Sequence, residues 1–196
     1  MLLIGYLVLF VCTPTLVRMI TKINPFEYKS GCNNIQHFND IVHVCAMIFA
    51  ENTQKPMAVA VYFLLDILFN LNTFMNNKAY LVHHIVGCFM IFIIYKHLRL
   101  YVETLGFLIW IQETALIPIS IIDILRLMSI QIPKSLYVSR TLWYISTRVY
   151  TYGLFFCYKY DGEDKKTLLL LSTPLLLHNV NVLRLQVKSM LRVFRK

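Results

Sequence analysis

Seven apolar segments, each close to the length of a membrane-spanning helix, follow one another along the chain with short polar connections. A helix needs about 20 apolar residues to cross a bilayer, so segments of this length predict transmembrane helices. The segments cover residues 2–20, 35–50, 56–74, 79–95, 101–125, 136–158 and 167–187. The first half of the second is polar, which favours a partly interfacial position. The pattern predicts an all-α membrane protein with a bundle of about seven transmembrane helices.

The connections contain residues that end helices and form turns. These are Asn24 and Pro25, Pro56, Asn76 and Asn77, and Pro133. Residues 161–166 predict a charged turn before the last segment. Because the connections are short, neighbouring segments are predicted to be antiparallel.

Composition agrees with this pattern and leaves room for one domain. The chain has 196 residues, of which 58% are hydrophobic, and a mean hydropathy of +0.60. Residues 2–11 lack the basic start and cleavage site of a signal peptide, so we expect them to be retained as a span. Residues 1–34 are interpreted as the first transmembrane helix and a cytosolic linker, 35–190 as the main domain, and 191–196 as a basic tail.

Positive charge predicts the orientation, because Lys and Arg accumulate on the cytosolic side of membrane proteins. The net charge is +9. With seven spans, one side holds Arg18, Lys22, Lys29, Lys78, Arg126, Lys134, Lys188, Arg192, Arg195 and Lys196, and the other holds Lys55, Lys96, Arg99, Lys159, Lys165 and Lys166. The C-terminus is therefore predicted to be cytosolic. The charges form no basic-aromatic block, so no nucleic-acid partner is expected.

His83 and His84 form a doubled histidine in the fourth segment and are the leading candidates for chemistry. At 1.5 Å per residue, Asp66 and His83 lie about 12 Å and 7 Å from the turn between their segments, which allows contact. Adjacent helical residues point about 100° apart, so one histidine should face a cavity while the other braces a helix. A carboxylate that holds one imidazole nitrogen leaves the other free as base or nucleophile. Charge compensation alone is the alternative role.

Further polar residues lie within the predicted spans: Glu113, Arg148, His178 and Asn181. Each costs about 2 to 3 kcal/mol or more if it faces lipid at mid-bilayer, so all are expected to point inward. Arg148 is expected to pair with Glu113 or Asp66. The interior is either a hydrogen-bonded core or a cavity that admits an amphipathic molecule.

No metal, cofactor or disulfide is predicted. Tyr80 occupies the position three before His83, where an HxxHH metal motif would have a histidine. The five cysteines form no CxxC pair.

In order and spacing, several residues resemble those of TLC-domain proteins, the membrane family that includes ceramide synthases. They are Asp66, Val82 with His83, His84 and Gly87, Gly106 with Glu113 and Pro118, Trp143 and Tyr144 with Arg148, and Asn181 with Arg184 and Lys188. The similarity covers about residues 35–190, which would form the TLC domain. Gln112, Glu113 and Thr114 stand where ceramide synthases carry a further Asp, so the chain is closer to the non-synthase branch.

The resemblance implies an endoplasmic-reticulum or other internal membrane and a lipid-sized cavity that opens toward the cytosolic leaflet. It implies binding or modification of lipids, with acyl transfer from acyl-CoA, of a sphingolipid-like kind, as the candidate reaction. His83, His84 and Asp66 would then be catalytic. The alternative is a non-enzymatic lipid-binding protein or regulator of membrane composition. The lipid, and whether the chain forms a homodimer, are left open.

Overall fold

The computed structural model describes residues 2–29, 32–97, 99–157 and 162–195. Over these residues the chain forms nine α-helices, one 3₁₀ helix at Arg99–Tyr101 and one pair of two-residue strands. The strands, β1 (Tyr28–Lys29) and β2 (Cys32–Asn33), pair in antiparallel fashion. The helices are α1 (Leu2–Thr21), α2 (Asn34–Ile48), α3 (Lys55–Phe69), α4 (Leu71–Asn76), α5 (Lys78–His97), α6 (Val102–Glu113), α7 (Leu116–Leu127), α8 (Lys134–Cys157) and α9 (Gly162–Phe194). The predicted all-α class is confirmed.

Two of the predicted segments are broken into two helices each. Residues 56–74 divide at Asn70, whose backbone leaves the helical region (φ −124°, ψ 38°). Residues 101–125 divide between α6 and α7. Pro118 lacks the N–H that would bond to the carbonyl of Thr114, and its ring crowds that carbonyl, so an uninterrupted helix is disfavoured there.

The prediction of a charged turn at residues 161–166 is wrong for residues 162–166, which are helical. Helix α9 begins at Gly162, and Asp161 lies outside the described residues. Residues 162–166 are therefore the beginning of the last helix and not a connection that precedes it.

Helix α3 lies near the middle of the molecule, packed against α1, α5 and α6. Helix α5 packs against α3 and α9, and α8 packs against α6, α7 and α9. A core of Tyr6, Phe10, Tyr62, Phe63 and Ile91 joins α1, α3 and α5. These contacts place the doubled histidine of α5 between α3 and α9.

Two glycines permit close helix packing. A Cβ atom at Gly106 would overlap the carbonyl oxygen of Asn52, and a Cβ atom at Gly87 would overlap the ring of Phe63. Gly106 therefore lets α6 approach the backbone that precedes α3, and Gly87 makes room for the Phe63 ring beside α5.

Two stretches of the described chain, Ile4–Thr21 and Val102–Leu127, are long and apolar enough to cross a membrane by length and composition. The stretch Tyr80–Lys96 is apolar but shorter. The remaining predicted segments form helices that fall below this measure.

Candidate functional site

Asp66 and His84 form the contact that the sequence predicted between the third and fourth segments. Nε2 of His84 lies 3.1 Å from Oδ2 of Asp66, and both residues are buried. Nδ1 of His84 lies 3.1 Å from the carbonyl oxygen of Tyr80. Both ring nitrogens thus lie 3.1 Å from an oxygen atom inside the bundle, and His84 is not among the residues that line the cavities beside α5. The expected arrangement, in which Asp66 holds one nitrogen and frees the other, is not found at His84.

Asp66 also accepts hydrogen bonds from two side-chain amides. Nδ2 of Asn70 donates to Oδ1 of Asp66 at 2.7 Å, and Nε2 of Gln36 lies 3.3 and 3.2 Å from the two carboxylate oxygens. Thr73 donates to Oε1 of Gln36 at 2.6 Å. The carboxylate thus ties α2, α3 and α5 together, and this network explains why a charged group can be buried there.

A second buried network surrounds Asp40 on α2. The hydroxyl of Tyr62 donates to Oδ1 of Asp40. The hydroxyl of Ser120 donates to Oδ2 of Asp40 at 3.1 Å. The ring of His43 stacks on Tyr62 with centroids 4.0 Å apart, and its Nδ1 lies 2.8 Å from the hydroxyl of Tyr6. These contacts join α2 to α1, α3 and α7.

Three polar residues of α2 were not predicted from sequence as site residues, because the polar half of the second segment favoured an interfacial position: Gln36, Asp40 and His43. All three are buried in the bundle. Their spacing was the available signal, since residues i, i+4 and i+7 share one face of a helix. Through this face, α2 contributes polar side chains to the interior of the bundle.

His83 points away from Asp66, as expected for the neighbour of His84. Its ring stacks on that of His178, with centroids 4.4 Å apart and planes 23° apart. Phe63 approaches the His83 ring edge-on at 5.6 Å. Nδ1 of His83 is buried without a hydrogen-bond partner among the described residues. His83, rather than His84, therefore presents an imidazole to the interior space.

That space is a cavity of about 110 Å³ between α3, α5, α6, α8 and α9, which we call the chain cavity. Its apolar wall includes Val59, Phe63, Met90, Ile91, Ile94, Leu105, Leu108, Ile109 and Leu175. Its polar lining comprises His83, Gln112, Glu113, Thr151, Tyr152 and Ser172. From His83 to Ile94, the lining residues of α5 span about 16 Å at 1.5 Å per residue. The cavity is thus elongated along α5 and largely apolar.

Glu113 connects the chain cavity to the network of α2. Its side chain is 13% exposed, and its Oε2 lies 4.0 Å from Nε2 of the buried His43. Because Glu113 also lines the chain cavity, it is the carboxylate placed closest to a molecule bound there. It was expected to point inward, and it does.

Arg148 has a different partner set from the one predicted. Its NH1 donates to the carbonyl oxygen of Gln112 at 2.7 Å and its Nε to Oδ1 of Asn179 at 3.2 Å. The guanidinium lies 4.6 Å from the ring centroid of Tyr144. No carboxylate in the described part of the chain forms an ion pair with Arg148. The predicted pairing with Glu113 or Asp66 is therefore replaced by neutral acceptors and an aromatic ring.

Asn181 was predicted to be interior, but it is exposed. The buried asparagine of α9 is Asn179, which accepts from Tyr144 at 2.9 Å and donates to Tyr152 at 3.1 Å. Two residues further along a helix the side chain points about 200° away. Asn181 therefore lies on another face from Asn179, where its Oδ1 accepts from Arg184 at 3.3 Å. His178 is half-buried beside His83, consistent with its predicted inward position.

Comparison with family models, with curated proteins and with solved structures gives no match for this chain. Among the described residues, no group of three or more His, Cys, Asp or Glu side chains is arranged to hold a metal ion. Within the part of the chain that the structure describes, the polar groups that line the chain cavity are one imidazole, one carboxylate, three hydroxyls and one side-chain amide.

Proposed function

We propose that this protein is a multi-pass membrane protein of the TLC-domain type that binds a single-chain lipid inside its helix bundle. The observation that supports this most is the chain cavity, because an apolar space of about 110 Å³ with polar groups at His83 and Glu113 suits part of an acyl chain joined to a polar group. The TLC domain would span residues 35–190 and would resemble the non-synthase members of that family. The proposed location is the endoplasmic-reticulum or another internal membrane.

The distribution of polar and apolar side chains supports the membrane part of the proposal. Large apolar residues stand exposed along several helices, including Ile20 of α1 at 79%, Met75 of α4 at 78% and Leu170 of α9 at 75%. Asp66 and His84, in contrast, are 0% and 1% exposed. Large exposed apolar areas are unfavourable in water but favourable against lipid tails. Lipid offers no hydrogen bonds, so the polar groups of a membrane protein must find their partners inside the bundle. A bundle of about seven spans is consistent with this distribution.

A cavity-filling substitution tests the binding proposal. Met90 lines the chain cavity, whereas the adjacent Phe89 is 55% exposed. Purified protein in nanodiscs is labelled with a neutral monoacylglycerol that carries a diazirine near the end of its acyl chain. We expect cross-links on α5 and α6, and a roughly tenfold loss of labelling in Met90→Trp, equivalent to about 1.4 kcal/mol of binding free energy. Phe89→Trp is the matched control and should retain labelling.

Equal labelling of both variants, or cross-links confined to exposed residues, would contradict lipid binding in the chain cavity. Thermal unfolding in detergent separates this outcome from misfolding, because a variant with an unchanged midpoint has kept its packing.

Acyl-CoA-dependent acyl transfer is the second candidate, and the position of His83 on the wall of the chain cavity favours it. Its imidazole would take a proton from an acceptor amine or hydroxyl while the acceptor oxygen or nitrogen attacks the thioester carbonyl. The coenzyme A thiolate would leave and receive a proton. In an assay with radiolabelled acyl-CoA and long-chain amines and alcohols, His83→Asn should abolish turnover and keep chain labelling. Absence of turnover by well-folded wild type would favour non-enzymatic lipid binding.

A further inference from the structure

A second cavity, of about 290 Å³, lies between α5 and α9, and we call it the head cavity. Lys78, Val82, His83 and Val86 of α5 line one side, and Pro174, Leu175, His178 and Asn181 of α9 line the other. The spacing within each set follows the three- and four-residue intervals of a single helix face. The head cavity is therefore a groove built by two facing helix stripes.

The head cavity and the chain cavity share a wall. His83 and Leu175 line both of them. Along α5, Lys78 precedes His83 by about 7.5 Å, and Ile94 at the other end of the chain cavity follows it by about 16 Å, at 1.5 Å per residue. A single elongated molecule that passed His83 would thus have one end at Lys78 and the other among the apolar residues near Ile94.

Two exposed cations lie in or next to the wall of the head cavity. Lys78 is exposed at the first residue of α5. Arg184 is exposed and donates to Oδ1 of Asn181 at 3.3 Å, which places a second cation beside the cavity wall. No acidic residue is among the described residues that line this cavity. The amide nitrogen of Asn181 is a further donor, so the groups gathered here suit an anion.

We propose that the head cavity binds the phosphate of a single-chain lipid whose acyl chain occupies the chain cavity. This inference rests on the proposed lipid binding and adds the class of head group. Lys78, Arg184 and Asn181 contact the phosphate oxygens, and the stacked rings of His83 and His178 line the passage to the chain. Phosphate needs several donors at once, and the first turn of α5 adds the positive end of a helix dipole.

The test compares two probes that differ only in the phosphate: oleoyl lysophosphatidic acid and monooleoylglycerol. Their dissociation constants are measured on the full chain in nanodiscs. We expect Lys78→Gln and Arg184→Gln to weaken binding of the phosphate-bearing lipid about tenfold each, since each removes a charge next to the anion, and to change monooleoylglycerol binding less than about twofold. Lys78→Arg keeps the positive charge and should therefore retain most of the wild-type affinity for lysophosphatidic acid. Lys188→Gln, an exposed cation of α9 outside the cavity, is the control and should change neither.

Equal weakening of both lipids, or no change in either, would overturn the head-group assignment. Met90→Trp distinguishes the proposal for the chain cavity from the proposal for the head cavity. If this variant binds neither lipid, binding in the chain cavity is supported even when Lys78→Gln has no effect. Free glycerol 3-phosphate is added as a competitor to distinguish a lipid phosphate from a soluble one. Failure to displace lysophosphatidic acid supports the lipid, whereas displacement by millimolar concentrations assigns the site to a soluble phosphate ester and overturns the proposal.

Discussion

His83 and His84 are adjacent in sequence, yet they belong to different environments. His84 contacts Asp66 and the carbonyl of Tyr80, whereas His83 lines both cavities. The 100° rotation between neighbours on a helix produces this separation. One imidazole therefore lies against a buried carboxylate, and the other faces the two cavities.

Substitution of His84 should destabilise the protein more than substitution of His83. His84→Leu leaves the carboxylate of Asp66 buried without its imidazole, and a buried polar group that loses a partner costs about 1 to 3 kcal/mol, or more when it is charged. His83→Leu removes ring contacts with His178 and Phe63 but breaks no hydrogen bond of Nδ1 within the described chain, so we expect a loss of about 1 kcal/mol or less. The measurements are the thermal midpoint in detergent and the yield of monodisperse protein.

The double variant His84→Leu with Asp66→Asn provides the control for this interpretation. The amide that replaces the carboxylate would remain bonded to Gln36 or Asn70 without a charge, so part of the stability should return. If the double variant is no more stable than His84→Leu, the contact between His84 and Asp66 does not stabilise the fold.

Helix geometry made the contact between Asp66 and the doubled histidine predictable, because α3 and α5 are separated by only a few residues, which form the short helix α4. The orientation of α9 was not predictable in the same way. Asn179 and Asn181 are equally polar in sequence, and only the packing of α9 against α8 determines that Asn179 meets Tyr144 and Arg148. The partner of Arg148 was not predictable either. It is the backbone carbonyl of Gln112, and every residue has a backbone carbonyl, so the sequence does not mark this one.

At the scale of the elements, the interruptions of the helices shape the interior. Asn70, at the break between α3 and α4, donates its side-chain amide to Asp66, and the division between α6 and α7 follows Glu113, which lines the chain cavity. Hydropathy located the helices but not these breaks, because both lie inside continuous apolar stretches. Pro118 was the visible signal for one break, whereas Asn70 has many neighbours of similar character.

Gly106 should be the glycine least tolerant of substitution among those whose surroundings are known. A Cβ atom there would overlap the carbonyl oxygen of Asn52, whereas one at Gly153 of α8 would meet nothing within 4 Å. Gly106→Ala forces α6 away from the backbone before α3, and we expect a loss of about 1 to 3 kcal/mol, typical of overpacking. Gly153→Ala should stabilise by up to about 1 kcal/mol, because alanine is the better helix former.

The comparison is made by thermal unfolding of both variants in the same detergent. A higher midpoint for Gly106→Ala would show that the contact with Asn52 is loose. A lower midpoint for Gly153→Ala would show that this position of α8 has a constraint beyond helix propensity.

At the scale of the whole molecule, the fold buries several charged and polar side chains and leaves many large apolar side chains exposed. Asp40, His43, Asp66 and His84 are buried within the bundle, while exposed apolar residues surround it. Lipid tails accept exposed apolar side chains, so this distribution supports the proposed membrane location. In a membrane protein, the orientation in the bilayer depends on the charges outside the spans.

The last prediction concerns that orientation. Lys188, Arg192 and Arg195 follow one another near the end of α9, and basic residues of this kind remain cytosolic. Helix α5 begins at Lys78, on the side predicted to be the same, so the head cavity would open to the cytosol. Glycosylation-acceptor sequences are inserted after the C-terminus and, separately, between Cys157 and Gly162. We expect modification of the second insertion alone, measured as a glycosidase-sensitive shift in mobility. Modification at the C-terminus alone would reverse the orientation and would place the head cavity on the lumenal side.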